Sequence, residues 1–266
     1  MGSPYTWTQF ELLAMKRSPR VLSVLFLAVA LLSGCSLFGK GSKPIPPVDV
    51  LYRDGQTRLE RSDFENARDD FQKIVTHYAD TEYAPLARFL IAETYYREPL
   101  YDKAIKELEA FMAFYPSHRI ADLAQYRLAL SYYNQSKTVE QDQTNTAKAL
   151  DALRRLVKEY PDSRYAPDAL SKIDLSRERL AQKELWIANY NFTRQNYGAA
   201  LQRIDAILKE YPRTLVVPET LYLLGEILTA QGKSADAQRA FQQLADQYPH
   251  TDWGRRASLR LTSALR

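Results

Sequence analysis

Glycine and cysteine are scarce in this chain of 266 residues. It has nine glycines, and only five lie beyond residue 50, so it lacks the tight turns of sandwiches and barrels and the glycine-rich loops that bind phosphate. One cysteine and three histidines cannot form a disulfide framework or a clustered zinc site. With 45% apolar residues there is still enough material for a core. The expected fold class is all-α.

Residues 1–34 are predicted to be a secretory signal peptide. A basic segment at residues 16–20 precedes an apolar run at residues 21–32 and two small residues. Twelve helical residues span roughly 18 Å, which is short of the ~30 Å hydrocarbon core and disfavours a membrane-spanning helix. Because Met15 is the better start for such a signal, residues 1–14 are predicted to be an over-extended start.

The end of the signal, Leu32-Ser33-Gly34-Cys35, resembles the bacterial lipobox. That resemblance implies cleavage after Gly34 and acylation of Cys35, and several acyl chains hold a protein durably at a bilayer. The alternative is that Cys35 is an incidental thiol. In the sorting rule that this resembles, Ser36 in place of an aspartate directs the lipoprotein to the outer membrane, on its periplasmic face. Residues 35–47, which are rich in glycine and proline, are predicted to be a tether.

The rest of the chain repeats one unit five times. Four Tyr-Pro dipeptides and one Tyr-Ala recur at intervals of 37, 45, 51 and 37 residues, and an alanine stands eleven positions before each tyrosine. Periods of this size predict an array of helical repeats. The tyrosines are Tyr78, Tyr115, Tyr160, Tyr211 and Tyr248, and the alanines are Ala67, Ala104, Ala149, Ala200 and Ala237.

Each unit is predicted to hold two helices, here named helix A and helix B. Small residues where the two helices cross let their backbones approach closely, with an apolar residue four positions after each helix B alanine filling the seam. The Tyr-Pro step ends helix B, and a second proline suits the first turn of the next helix A. The small helix A residues are Gly55, Ala92, Ala129, Ala188 and Gly225, and the second prolines are Pro85, Pro167 and Pro218.

This pattern resembles the tetratricopeptide repeat, which implies a right-handed superhelix of about five repeats over residues 48–266. Residues 48–160 would form an N-terminal half of three repeats and residues 161–266 a C-terminal half of two. Two departures break the period. Residues 134–146 form a polar insert in the third repeat, expected to project from one edge, and residues 168–196, which follow Pro167, contain neither proline nor glycine, so helix A of the fourth repeat should run about 30 residues.

Helix A positions that line the concave groove in this family are mostly aromatic in the first three repeats. Such a groove suits an extended peptide or a partner helix. The alternative, which the sequence leaves open, is that the rings pack between adjacent helices A. The candidate groove residues are Tyr52, Leu59, Phe89, Glu93, Tyr96, Tyr126 and Tyr133.

An outer-membrane lipoprotein with these repeats, this insert and this long helix resembles the BamD (ComL/YfiO) family. The resemblance is carried by residues 32–35, 136–147, 156–165 and 179–184. It implies a subunit of the β-barrel assembly machine that receives unfolded outer-membrane proteins, contacts other lipoproteins of the machine and docks to a POTRA domain of BamA. The family's BamA-docking arginine matches Arg203; the alternative is a surface arginine paired with Asp205 or Glu210.

Neither catalytic activity nor metal binding is expected from the sequence. His77, His118 and His250 occupy equivalent positions in different repeats and cannot converge on one metal, and no catalytic motif appears. We therefore expect no enzyme activity, no metal and no cofactor beyond the lipid on Cys35, and the balance of 36 basic and 32 acidic residues argues against a nucleic-acid partner. The main alternative function is a lipoprotein scaffold for peptidoglycan, Tol or secretin machinery.

Overall fold

The structure, a computed structural model, describes residues 44–263. This part of the chain contains eleven α-helices and no strand, so the all-α prediction is confirmed. The signal peptide, Gly34, Cys35 and most of the predicted tether lie outside the described residues. The helices are α1 (Val48–Glu60), α2 (Phe64–His77), α3 (Tyr83–Arg97), α4 (Tyr101–Phe114), α5 (Ala121–Tyr133), α6 (Thr144–Glu159), α7 (Ala166–Thr193), α8 (Tyr197–Glu210), α9 (Val217–Ala230), α10 (Ser234–Gln247) and α11 (Asp252–Ser263).

Helices α1 to α10 form the five predicted helix A and helix B pairs, and each helix packs on the next one along the chain. The five predicted helix B alanines are all buried, as are the five small residues on helices A. The stack of helices continues across residue 160 without a break, because α7 packs on both α6 and α8. The division into two halves at that residue stays a prediction.

Small residues allow the close crossing within each pair, and their size matches the side chain they face. A methyl group built on Gly55 would lie 2.6 Å from a ring carbon of Phe71, and one on Gly225 would lie 2.4 Å from a ring carbon of Phe241. In the other three repeats alanine replaces the glycine, and the residue equivalent to the phenylalanine is Leu108, Leu153 or Ile204. Glycine thus accompanies the large ring and alanine the smaller aliphatic chain.

The turns after the helices B share one geometry. Each of the five tyrosines has left the helical conformation, with φ near −130°, and its N–H still donates to the carbonyl four residues earlier. Tyr78 adopts this geometry although alanine follows it, so proline favours the turn without being required. A threonine three positions on closes the turn in three repeats, where Thr81, Thr214 and Thr251 donate side-chain hydrogen bonds to the tyrosine carbonyl.

Helix α7 has 28 residues, about 42 Å, where helix A of the other four repeats has 13 to 15, which confirms the predicted long helix. Its first turns pack with α5 and α6 around Ala166 and Ala169. Its second half packs with α8 and α9 through Ala181, Leu185 and Ala188. One helix therefore serves two successive layers of the stack.

The polar insert is shorter than predicted, because α6 already begins at Thr144. The loop at residues 134–143 folds back on itself: buried Gln143 donates to the carbonyls of Thr138 and Gln141 and accepts from the hydroxyl of Thr146. The loop also contacts α7, where Lys183 donates to the carbonyl of Glu140.

Helix α11 was not expected as a separate element, and it occupies the place of a sixth helix A. Its buried Ala257 is nine residues beyond Tyr248, as Ala87 and Ala124 are beyond their own turn tyrosines. Arg260 on α11 pairs with Glu226 on α9, which repeats the spacing of 34 residues between Arg127 and Glu93. The chain ends its stack on a helix A that has no helix B among the described residues.

Candidate partner-binding surfaces

The predicted groove residues lie where successive helices A meet. Tyr52 on α1 packs against Tyr83 on α3, with ring centroids 5.1 Å apart, and against Phe71 on α2 at 6.3 Å. Burial raises the pKa of the Tyr52 hydroxyl, and the nearby Arg119 guanidinium opposes that shift. The ring is half-buried, so it serves both as packing between repeats and as exposed surface.

Two of the candidate residues belong to the core. Phe89 is 6% exposed and its ring packs edge-on against Phe111 at 6.0 Å. Leu59 is likewise buried, in the cluster around Phe71 and Ile74. Neither side chain lines an open groove, because helix B of the same repeat and the next helix A cover both, and the packing alternative holds for these two positions.

Tyr126 carries the most strongly perturbed hydroxyl of the groove. Its ring stacks on Tyr165, with centroids 4.7 Å apart and planes 13° from parallel, and its hydroxyl donates to Asp168 on α7. Burial first, and then this hydrogen bond, raises the pKa of Tyr126 well above its usual range. The phenol therefore stays neutral and remains a hydrogen-bond donor at any physiological pH.

Tyr96 and Tyr133 each lie under a cation from the following helix A. The Arg127 guanidinium sits 4.8 Å above the Tyr96 ring, and the Lys172 ammonium sits 5.4 Å above the Tyr133 ring. Asn134, the first residue of the insert, donates to the Tyr96 hydroxyl at 3.2 Å. These cations were missed at the sequence level, although both follow the rings at a distance of about one repeat.

Glu93 is buried and bridges two arginines. It accepts from Arg127 on the next helix A at 2.7 Å and from Arg97, four residues on in its own helix, at 3.1 Å. One carboxylate therefore holds two guanidinium groups at the groove surface, where Arg97 remains exposed. The cluster carries a net positive charge and can accept a further carboxylate.

Arg203 is exposed on α8 and pairs with Glu184 on α7 at 3.1 Å. The predicted alternative partners, Asp205 and Glu210, make no ion pair with it in the described part of the chain. Those two residues lie along the same helix, whereas Glu184 projects from the facing helix A. The signal for this pair was the sequence 179–184 itself, which places Glu184 one turn before the crossing at Ala188.

Neither a metal-binding cluster nor a membrane-spanning helix is found in the described part of the chain. Residues 44–263 hold no group of three or more His, Cys, Asp or Glu side chains that could bind a metal ion. Within the same range, every helix is too short or too polar to cross a bilayer. The features of this part of the chain are surfaces: an aromatic and basic groove over three repeats and an ion-paired arginine in the fourth.

Paired helices with small crossing residues and a repeated tyrosine turn define a helical-repeat scaffold of the tetratricopeptide type. The TPR2AB domain in a pHSP90 complex of yeast Sti1 aligns with a TM-score of 0.43 at 13% identity, over 82% of this chain and 84% of that one. Because that score is low, the assignment of the repeats rests on the helix pairs.

Sequence comparison gives the particular family. The profile of the YfiO family, described as outer membrane lipoprotein, matches residues 46–237. Outer membrane protein assembly factor BamD of Caulobacter vibrioides is 31% identical over 240 residues, covering 88% of this chain and 78% of that protein. BamD of Rickettsia prowazekii is 28% identical over 234 residues, covering 88% and 93%. This chain belongs to the YfiO (BamD) family, which confirms the resemblance drawn from its lipobox, insert and repeats.

Proposed function

We propose that this protein is a non-enzymatic, lipid-anchored subunit of the β-barrel assembly machine on the periplasmic face of the outer membrane. It would receive unfolded outer-membrane proteins and scaffold BamA together with the other lipoproteins of the machine. Membership of the YfiO family and the BamD names of its relatives support the assembly role. The observation that carries client binding is the row of half-buried rings flanked by cations over three repeats.

The groove suits an extended segment with aromatic side chains and a carboxylate. Tyr52, Tyr96, Tyr126 and Tyr133 each keep part of the ring exposed, so client side chains can pack on them without unfolding the stack. Arg97 presents an exposed guanidinium beside Tyr96, already oriented by Glu93. An unfolded barrel strand, with alternating apolar residues and a free C-terminus, offers both groups.

The Arg203 and Glu184 pair is the proposed contact for a POTRA domain of BamA. Arg203 is exposed, and the carboxylate of Glu184 fixes its guanidinium at the crossing of α7 and α8. A guanidinium so held keeps free N–H donors, and a carboxylate on the partner can bind them at reduced entropic cost.

Two substitutions test the client groove. Replacing Tyr96 and Tyr133 by Ala should reduce photo-cross-linking of the protein to peptides from C-terminal barrel strands, because two partly exposed rings are lost. Phe114→Ala, at an exposed ring on the end of α4, is the matched control and should leave cross-linking unchanged. Equal cross-linking in both variants would assign the rings to packing between helices.

The docking contact has its own test. Arg203→Glu should weaken co-purification with BamA, because the new carboxylate repels a carboxylate on the partner. The melting temperature should not fall measurably, because an exposed ion pair contributes little to stability. Lys209→Glu, at an exposed position on the same helix, should leave co-purification intact. Unchanged recovery of BamA with Arg203→Glu would dismiss this site.

A further inference from the structure

Only the first two turns of the long helix α7 contact α5 of the preceding repeat. Its first turns contact α5 through the buried Ala166 and Ala169, the hydrogen bond from Tyr126 to Asp168 and the approach of Lys172 to Tyr133, and Tyr165, just before the helix, stacks on Tyr126. The crossing with α8 comes about 20 residues later, at Ala188. Between these points α7 advances by roughly 30 Å, so its second half lies beyond the reach of α5.

In the second and fifth repeats, the residues two before and two after the small helix A residue pack on the preceding repeat. In the fifth repeat these are Leu223 and Ile227, both buried in the cluster that contains Ile204 and Ile207 of α8. In the second repeat the later position is Thr94, fully buried and approached by Arg68 of α2. This side of a helix A is therefore the stacking face of the array, and helix B of the preceding repeat covers it.

In the fourth repeat the same two positions are Trp186 and Tyr190, and they are exposed. Their relative exposures are 42% and 47%, where Ile227 is fully buried. On the long helix α7 this stacking face is therefore not covered by a helix B at these two positions. Two large aromatic side chains thus occupy positions that the fold elsewhere buries against a helix.

The two rings form the middle of a four-membered ladder along α7. Trp186 and Tyr190 stack with centroids 6.0 Å apart and planes 18° from parallel. The Lys183 ammonium lies 4.5 Å from the Trp186 ring centre, and the Arg194 guanidinium lies 4.4 Å from that of Tyr190. The ring faces are therefore occupied, and the ladder presents ring edges, the indole N–H, the phenol and two cations, all of which attract electron-rich groups.

Among the described residues, no carboxylate forms an ion pair with Lys183 or Arg194, the two cations of the ladder. Lys183 donates to the carbonyl of Glu140, and the Glu140 and Asp142 carboxylates lie near enough to feel its charge without forming an ion pair. Arg194 has no acidic partner within the described residues. Glu178, two turns before Trp186, accepts hydrogen bonds from Gln182 and from the backbone N–H of Leu215 and pairs with neither cation.

We propose that the ladder of Lys183, Trp186, Tyr190 and Arg194 is a docking face for an acidic amphipathic helix of a partner protein, which takes the place of a missing helix B. The equivalent faces of the second and fifth repeats show that a helix fits there, and the two cations select one that carries Asp or Glu. Tryptophan, tyrosine and arginine are also the residues that contribute most at protein interfaces. This proposal goes beyond the assembly role and does not involve Arg203.

Cross-linking identifies the occupant. A photoreactive p-benzoylphenylalanine replaces Gln182, which is exposed on the same side of α7 and leaves the ladder intact, and the full chain is expressed in its native cell envelope. Mass spectrometry should place the cross-link in a helical, Asp- or Glu-containing segment of another protein. A Lys183→Glu and Arg194→Glu double variant should reduce the yield about tenfold, and replacing the partner's acidic residues by lysine should restore it.

A fluorescence measurement reports on coverage of the face. With Trp253→Phe, Trp186 is the remaining tryptophan after residue 34, and its emission should shift to the blue when a synthetic peptide of the cross-linked segment is added. Lys209→Glu is the matched charge control and should change neither readout. Cross-links only to lipid, to a second copy of this chain or to nothing would overturn the proposal, as would a yield indifferent to the charge reversal. Loss of BamA co-purification in the Arg203→Glu variant tests the proposed docking contact of Arg203 and does not test the ladder.

Discussion

Replacing Gly225 by alanine should destabilise the fifth repeat, although alanine favours a helix. The new methyl group would lie 2.4, 2.6 and 2.8 Å from three ring carbons of Phe241, where ordinary contacts are about 3.5–4.0 Å. Phe241 is buried against Leu221 and Leu244, so the ring cannot move by the required ångström without disturbing the seam. Overpacking of this kind costs about 1–3 kcal/mol, whereas the gain in helix propensity is about 1 kcal/mol.

The size match between the small residue and the facing side chain supplies a stringent version of the test. Phe241→Leu alone should destabilise the protein by leaving a cavity beside Gly225, and the double variant should recover much of both losses because it reproduces the alanine and leucine pair of the second repeat. We expect a coupling free energy of about 1–2 kcal/mol between the two sites.

Urea unfolding of the lipid-free chain, followed by circular dichroism, measures these free energies. Gly198→Ala on α8 is the control, since nothing lies within 4 Å of the methyl group it would add. That variant should be as stable as the parent or slightly more so. If Gly225→Ala were equally harmless, or if the two effects at Gly225 and Phe241 simply added, the close crossing would not be the reason for glycine at this position.

Three further predictions concern the anchor, the groove and pH. Cys35→Ala should move the protein to the soluble periplasmic fraction, since no acyl chain can be attached, and continued sedimentation with outer membranes would contradict the anchor. Glu93→Gln should lower the free energy of unfolding by about 1–3 kcal/mol in urea titrations, because two guanidinium groups lose a buried carboxylate; an unchanged midpoint would refute this. Burial, and then the hydrogen bond to Glu109, raises the pKa of Tyr132 to about 12 from 10.0. Its contribution to stability is therefore complete below pH 10 and is lost as pH rises through 12, and a ring carbon resonance titrating near pH 10 would exclude that.

Much of the fold was predictable because one local rule repeats. The Tyr-Pro step, the alanine eleven residues before its tyrosine and the small residue of helix A each act within one pair of helices, so spacing alone located every crossing. The length of α7 followed from the absence of proline and glycine over residues 168–196. Helix α11 was missed because its own Tyr-Pro turn was counted as the end of the fifth repeat, and only the burial of Ala257 shows that a further layer begins there.

The sites were harder to predict, because they depend on contacts between repeats. The helical position of Phe89 matches that of Tyr126, yet the first is covered by Phe111 and the second keeps an exposed edge. The partner of Arg203 is on a different helix, so a search along its own helix found only Asp205 and Glu210. The ladder on α7 is recognised from the exposure of two positions that the fifth repeat buries, and periodicity within one helix does not encode that exposure.

Helix α11 limits where the protein can be truncated. Helix α11 covers Ala237, Phe241 and Leu244 of the last complete pair, and Gly254 lets it lie against the backbone of Tyr248 without room for a single extra carbon. Truncation of the chain at residue 251 would expose these apolar side chains to water, and the shortened protein should aggregate. A tag or fused partner is better joined after residue 263, where the covering helix is kept whole.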